Sequence, residues 1–150
     1  MSGIVAPKSS LFWRLFNTSV KSHTAIFRLT GGRVGGKIVG GPILLLHHTG
    51  AKSGKRRVSP LLYLPDGDRM VIVASKGGYT NHPGWFHNLM ANPDTQVELP
   101  REGKVAVRAR KAGPEEREQL WPRVVKLYEG YAAYQRSTSR EIPLVVLDRA

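Results

Sequence analysis

From residue 43 onward the apolar positions of the chain fall in short blocks separated by turn-forming residues, which is a strand pattern. Residues 43–48 are a continuous apolar run that ends in His47 and His48. Residues 57–64 and 69–75 follow. Pro65, Asp66, Gly67 and Asp68 lie between them and predict a hairpin. Residues 95–100 and 104–111 meet at Arg101, Glu102 and Gly103 as a second hairpin, and residues 142–147 form a last apolar strand. Helical signals lie between these blocks. Pro83 opens a short helix that Asn92 and Pro93 stop. Gly113 and Pro114, followed by Glu115 and Glu116, open a long helix with its acids at the positive end. Leu120, Val124, Leu127, Tyr131 and Tyr134 make one stripe along it, and Pro122 either kinks it or marks its true start. Further upstream, Ser9 and Ser10 can cap a helix over residues 11–16, residues 22–29 form a second helical piece, and glycines at 31–36 and 40–41 break the chain. Six strands, two hairpins and a few helices predict a small α+β barrel. Residues 1–40 form a helical and glycine-rich segment, and residues 41–150 form the barrel domain.

The charge distribution sharpens the picture. The 150 residues carry 23 Lys and Arg against 11 Asp and Glu, for a net charge of +12. The first acidic residue is Asp66; before it stand ten Lys and Arg and no carboxylate. A balance this basic implies an anionic partner: a nucleic acid, an anionic membrane face or an acidic small molecule. There is no cysteine, so disulfides, thiolate metal sites and cysteine nucleophiles are excluded. No apolar stretch approaches the roughly 20 residues of a membrane-spanning helix, and the expectation is an intracellular, cytoplasmic protein.

Four places carry candidate chemistry. Residues 49–60 hold Lys52, Ser53, Lys55, Arg56 and Arg57 among glycines, which suits a phosphate; the alternative is a solvated basic hairpin. The spacing is not that of a Walker loop. Ala74, Ser75, Lys76, Gly77 and Gly78 lie at a strand exit, where glycines let backbone approach a flat group; a plain loop is the alternative. Trp85, Phe86, His87 and Asn88 sit near a helix N-terminus, with Trp85 available for stacking or for the core. Tyr128, Tyr131 and Tyr134 step by threes along the long helix. They form either one wall of a partly wet pocket or the margin of a core helix. His47 and His48 adjoin the basic loop and can complete its donor set. The five histidines show no metal-binding spacing, no metal is expected, and no nucleophile–base pair is visible.

Taken in order, these segments resemble the deazaflavin (coenzyme F420)-dependent nitroreductase family of actinobacteria. The resemblance runs from Gly41 to Leu147. Its marks are Thr49-Gly-x-Lys-Ser-Gly54, Arg57-Val-Ser-Pro-Leu61, Ala74-Ser-Lys-Gly-Gly78, Pro83-x-Trp85 with Asn88, Ala91-Asn-Pro93, Trp121-Pro122, the three tyrosines and Ile142-Pro143. The family has a split β-barrel fold of the FMN-binding type. The resemblance implies that Lys52, Ser53 and Arg57 bind the cofactor's phosphate. It implies that Pro60 and the backbone of Ala74, Ser75, Lys76, Gly77 and Gly78 lie along the deazaflavin ring, with Trp85 and Asn88 beside the cofactor. Leu62, Tyr128, Tyr131 and Tyr134 then form the substrate pocket. Ala51, Gly84 and Leu62 depart from residues common in relatives. These departures leave cofactor binding intact and weigh against reduction of nitroimidazole prodrugs.

The implied activity is hydride transfer from reduced F420 to a planar electrophilic acceptor such as a quinone, a nitroaromatic or an enone. Tyr131 or Ser75 would hydrogen-bond the reacting acceptor. FMN is the alternative cofactor. A carrier without catalysis and a barrel binding single-stranded nucleic acid are the rival functions. No nucleic acid is expected as partner, because the tyrosines lie on a helix and not on sheet strands. A monomer is expected. Residues 8–21 either contact the inner face of the cell membrane or pack over the barrel mouth.

Overall fold

The computed structural model describes residues 37–38 and 41–150. The predicted N-terminal helices and the membrane-contact segment therefore lie outside the described residues. Strands β1 (Lys37–Ile38), β2 (Gly41–Thr49), β3 (Arg56–Asp66) and β4 (Arg69–Val73) are followed by a single 3-10 turn (Lys76–Gly78) and helix α1 (Gly84–Ala91). Next come β5 (Asp94–Leu99), β6 (Gly103–Lys111), helices α2 (Pro114–Leu127) and α3 (Gly130–Arg136), and β7 (Leu144–Arg149). Every strand pair is antiparallel, in the order β1-β2-β3-β4-β7-β6-β5. A further pairing of β2 with β5, at Leu45↔Glu98 and Leu46↔Val97, closes six of the strands into a ring. This is the split-barrel architecture expected from the sequence, with its six long strands where the apolar blocks place them.

The closed ring explains why several strands read as unbroken apolar runs. Strands covered on both faces do not alternate. Met70 and Ile72 of β4 and Val145 and Leu147 of β7 join Leu44, Leu46, Val97 and Val107 in one buried cluster, into which α1 inserts Trp85, Phe86 and Leu89. The intervening residues Val71, Val73, Leu144 and Val146 face a second cluster built with Leu120 and Val124 of α2 and Tyr131 of α3. Strand β6 has its outer face in water and does alternate, with Val107 and Ala109 buried between exposed neighbours.

The long helix predicted from residue 113 is two helices. Pro122 lies inside α2, but the break comes later, where Tyr128 has extended backbone (φ −149°, ψ 106°). Tyr128 N–H still bonds the Val124 carbonyl, and Tyr131 N–H bonds the Tyr128 carbonyl at 3.2 Å. These two bonds carry the backbone from one helix into the next. No helix among the described residues is long and apolar enough to cross a membrane.

The 3-10 turn packs against the end of α3. Gly78 has φ +81°, and a Cβ there would lie 2.9 Å from the Tyr134 carbonyl oxygen and 3.1 Å from its Cα. Both the backbone conformation and the close approach require glycine. Gly78→Ala is expected to cost about 1–3 kcal/mol and to lower the midpoint of thermal unfolding by several degrees. A variant that melts with the parent would contradict this packing.

Candidate functional site

The basic loop is the turn between β2 and β3. Lys52, Ser53, Lys55, Arg56 and Arg57 are all exposed. None of the four cations pairs with a carboxylate among the described residues. Gly50 N–H bonds the Lys55 carbonyl and Gly54 N–H bonds the Gly50 carbonyl, both at 2.9 Å, and Ser53 Oγ accepts from Lys55 N–H at 3.2 Å. Gly54 takes φ +67°. The loop is therefore a closed, shaped turn whose side chains project cations into solvent. The acids elsewhere are largely engaged: Asp66 binds Arg69 and Arg123, Glu116 binds Arg69 and Arg110, and Glu102 binds Arg149. These pairs hold the carboxyls of Asp66, Glu116 and Glu102 below their ordinary range, chiefly through arginine hydrogen bonds. Four cations without a carboxylate partner among the described residues therefore stand together within six positions of the loop.

A polar chain running from the surface to a buried histidine anchors this loop. Ala51 N–H can only donate, and it donates to Asn88 Oδ1 at 2.9 Å. The Asn88 amide therefore presents Nδ2 to His48 Nδ1, 2.9 Å away. That makes Nδ1 an acceptor and leaves Nε2–H to donate to Ser59 Oγ at 2.9 Å. His48 is buried at 6% exposure. Burial first, then the charges of Arg57 and His47, push its pKa down from 6.5 to about 4. His48 is thus a neutral strut, not the extra anion donor expected from its position. His47 likewise turns away from the loop and donates from Nε2 to Glu98 at 2.7 Å.

The second part of the site forms at the 3-10 turn. Ser75 and Lys76 are half-buried. Lys76 takes φ +44°, and its Nζ lies 3.4 Å from Asn81 Oδ1 and 5.7 Å from the Tyr79 ring centroid. Tyr128, Tyr131 and Tyr134 do cluster, although the first precedes α3 and the other two lie on it. Tyr128 and Tyr131 rings are 5.0 Å apart edge to face, and the hydroxyls of Tyr128 and Tyr134 bond at 3.1 Å. Burial drives the Tyr131 phenol well above its ordinary value and that of Tyr134 to about 12. Both are neutral hydroxyls at physiological pH. Tyr131 Oη makes no hydrogen bond among the described residues.

Of the other expected residues, Pro60 and Leu62 are half-buried on β3, Leu62 against the cluster that holds Tyr131. Trp85 is buried in the barrel core with Phe86, the fate of most large aromatics. Asn88 meets the basic loop from below. Arg140 was not singled out from the sequence. It donates to the carbonyls of Ala74, Ser75 and Tyr79 at 3.1, 2.6 and 2.7 Å and so holds the whole 74–79 segment. An isolated arginine between polar residues gives no signal of this.

Comparison with known proteins places these parts in context. The profile of a family described as F420H(2)-dependent quinone reductase matches residues 19–149. A Mycobacterium tuberculosis protein named F420H(2)-dependent quinone reductase is 44% identical over 133 residues, covering 87% of this chain and 89% of the relative. A solved structure of an F420-H2 dependent reductase (FDR-A) is 41% identical, with TM-score 0.65, covering 71% of this chain and 94% of that one. Another, 36% identical with TM-score 0.68 and covering 85% and 96%, is described as a domain-swapped dimer. That assembly differs from the monomer expected for this chain.

The neutral strut predicts a pH dependence. The pKa of His48 is lower in the folded protein than in the unfolded chain, so the unfolded chain binds the proton first. This contribution to stability is complete above pH 6.5 and is lost as pH falls toward 4, to the extent of about 1–3 kcal/mol. Burial also lowers the pKa of His82, which adds to the same trend. Urea unfolding measured from pH 7 to pH 4.5 should show this slope, and His48→Gln should flatten most of it. An equally steep slope in the variant would remove His48 from the account.

Proposed function

Because the chain belongs to the F420H(2)-dependent quinone reductase family, a group of oxidoreductases that use reduced coenzyme F420, we propose that it reduces quinones with F420H2 at the site between the basic loop, the 74–79 segment and the tyrosines. The observation that carries this reading is the docking of the 74–79 backbone on the helix that bears Tyr131 and Tyr134, through Gly78 and through Ser137 Oγ at 3.4 Å from the Gly78 carbonyl oxygen. It joins a backbone surface suited to a flat ring to a wall of neutral hydroxyls.

The donor set fits the cofactor. F420 carries a phosphodiester and an oligoglutamate tail, and Lys52, Arg57 and the Ser53 hydroxyl offer cations and a donor with no competing carboxylate. Asn88 supports this turn from the other side. Pro60 and the peptides of residues 74–78 would offer surface to the ring, and Lys76 would stabilise negative charge at its pyrimidine end. When bound, F420H2 supplies a hydride from its ring. The chain's own part is to bind, orient and exclude water. A quinone that accepts the hydride carries negative charge on oxygen until it gains a proton. Tyr131, neutral and with a hydroxyl that makes no hydrogen bond among the described residues, would donate to that oxygen, with Ser75 as a second donor. Leu62, Tyr128 and Tyr134 line the acceptor side. Nitroaromatic and enone acceptors share the electrophilic planar character and belong in the same assay.

The test is a titration with F420H2 followed by tryptophan fluorescence, then addition of menadione with F420 absorbance monitored. Binding and prompt return of the oxidised absorbance are expected; binding without oxidation by any quinone would leave a carrier. Lys52→Ala and Arg57→Ala should each weaken F420H2 binding by about 1–3 kcal/mol without lowering the unfolding midpoint. Tyr131→Phe should lower kcat about tenfold or more while changing affinity little. Equal losses in kcat and affinity would reduce Tyr131 to packing.

A further inference from the structure

Arg140 lies in the link between α3 and β7, far in sequence from the segment it holds. Its Nε donates to the Tyr79 carbonyl at 2.7 Å, Nη2 to the Ser75 carbonyl at 2.6 Å, and Nη1 to the Ala74 carbonyl at 3.1 Å and to His82 Nδ1 at 2.8 Å. Every partner is a neutral acceptor; no carboxylate pairs with this guanidinium among the described residues. The link itself is fixed. Gln135 Nε2 donates to the Arg140 carbonyl at 2.7 Å, and Gln135 Oε1 accepts from Ile142 N–H at 2.8 Å and from Arg117 at 3.2 Å. Ala74 N–H is tied to the Pro143 carbonyl at 2.9 Å.

A half-buried cation without an anionic partner is costly unless its hydrogen bonds are well made. Three peptide carbonyls aimed at one guanidinium make them. In each peptide the following N–H points opposite to the carbonyl, so the N–H groups of Ser75, Lys76 and Thr80 point away from Arg140. The arginine's charge polarises these peptides along that direction. Its bonds to the Ser75 and Tyr79 carbonyls bracket Lys76, whose left-handed conformation a non-glycine residue keeps only where its surroundings restrain it.

We propose that Arg140 is the positioning residue of the reaction: it clamps the backbone of residues 74–79, and so sets the orientation of the peptide donors that meet the reduced deazaflavin, without touching cofactor or acceptor itself. This rests on the F420H2 reading above. It adds a residue to the site that binds through other groups. An arginine is required because only a planar fork reaches three divergent carbonyls at once.

The test compares the full-length parent with Arg140→Lys and Arg140→Ala, without ligand and with F420H2. Amide hydrogen exchange by NMR reads the clamp at Gly78 and Tyr79, whose N–H groups bond the Ser75 and Lys76 carbonyls. Both variants should exchange there about tenfold faster or more, while Ile72 and Val145 in the barrel keep parental protection. Their affinity for F420H2 should fall about tenfold or more, and added methylguanidinium should restore part of it in the alanine variant. Parental exchange at Gly78 and Tyr79 in either folded variant would overturn the clamp. Faster exchange with parental affinity would overturn its role in the site. A parent that binds no F420H2, with exchange still raised in the variants, would overturn the cofactor reading and the role of Arg140 with it, and the changed exchange would locate the failure there. If the alanine variant does not fold, the lysine variant, which keeps charge and bulk, is judged by the same criteria.

Discussion

Beyond its short pairing with β1, strand β2 bonds both β3 and β5, and the molecule is organised by that double pairing within the ring. Along most of its length it pairs with β3; at Leu45 and Leu46 it also pairs with β5, fifty residues further along. A sheet that meets itself has no free edge, and its interior must be filled by alternate residues from every strand. Leu44 and Leu46 are fully buried as a result. The same closure decides where the ends of β2 and β4 emerge. The first carries the basic loop, and the second carries the 74–79 segment.

Closure alone leaves those loops to be shaped. The fold shapes each with a half-buried polar side chain from a distant part of the chain. Asn88, on α1, reads the basic loop through Ala51 N–H and passes the constraint to His48 and Ser59. Arg140 reads the other segment through three carbonyls. In both cases a side chain from a distant element hydrogen-bonds backbone groups of the loop and so fixes its shape. Both struts are charge-sensitive in opposite senses: His48 works only when neutral, Arg140 only when charged.

The electrostatic asymmetry follows from how the acids are spent. Carboxylates begin at Asp66, and many of them are paired with arginines of β4, β6, β7 and α2. Such exposed pairs contribute little to stability. Their effect on function is to leave the four cations of the loop at 52–57 as a dense positive cluster with no carboxylate paired to it among the described residues. That arrangement accords with a family whose cofactor is an anion.

Several features were legible in the sequence by itself because they are local. The six strands follow from apolar blocks bounded by turn residues, the hairpin at 65–68 from its Pro, Asp and Gly, and the start of α2 from Pro114 with two glutamates after it. The basic loop and its acid-free surroundings are visible by counting, and the ordered motifs identify the family. What depended on tertiary structure was everything that joins residues far apart. The break at Tyr128 has Gly130 beside it, where a Cβ would run into the Tyr128 ring, and that close approach exists only once the two helices fold against each other. Trp85, readable as a stacking face, goes to the core because closure of the barrel leaves a space that α1 must fill. His48 and Arg140 gain their roles from contacts 40 and 65 residues away, and no periodicity encodes such pairings. Local pattern determines which elements form, because propensity and turn chemistry act over a few residues; the partners of buried polar groups are decided only when the whole ring closes and removes water from them.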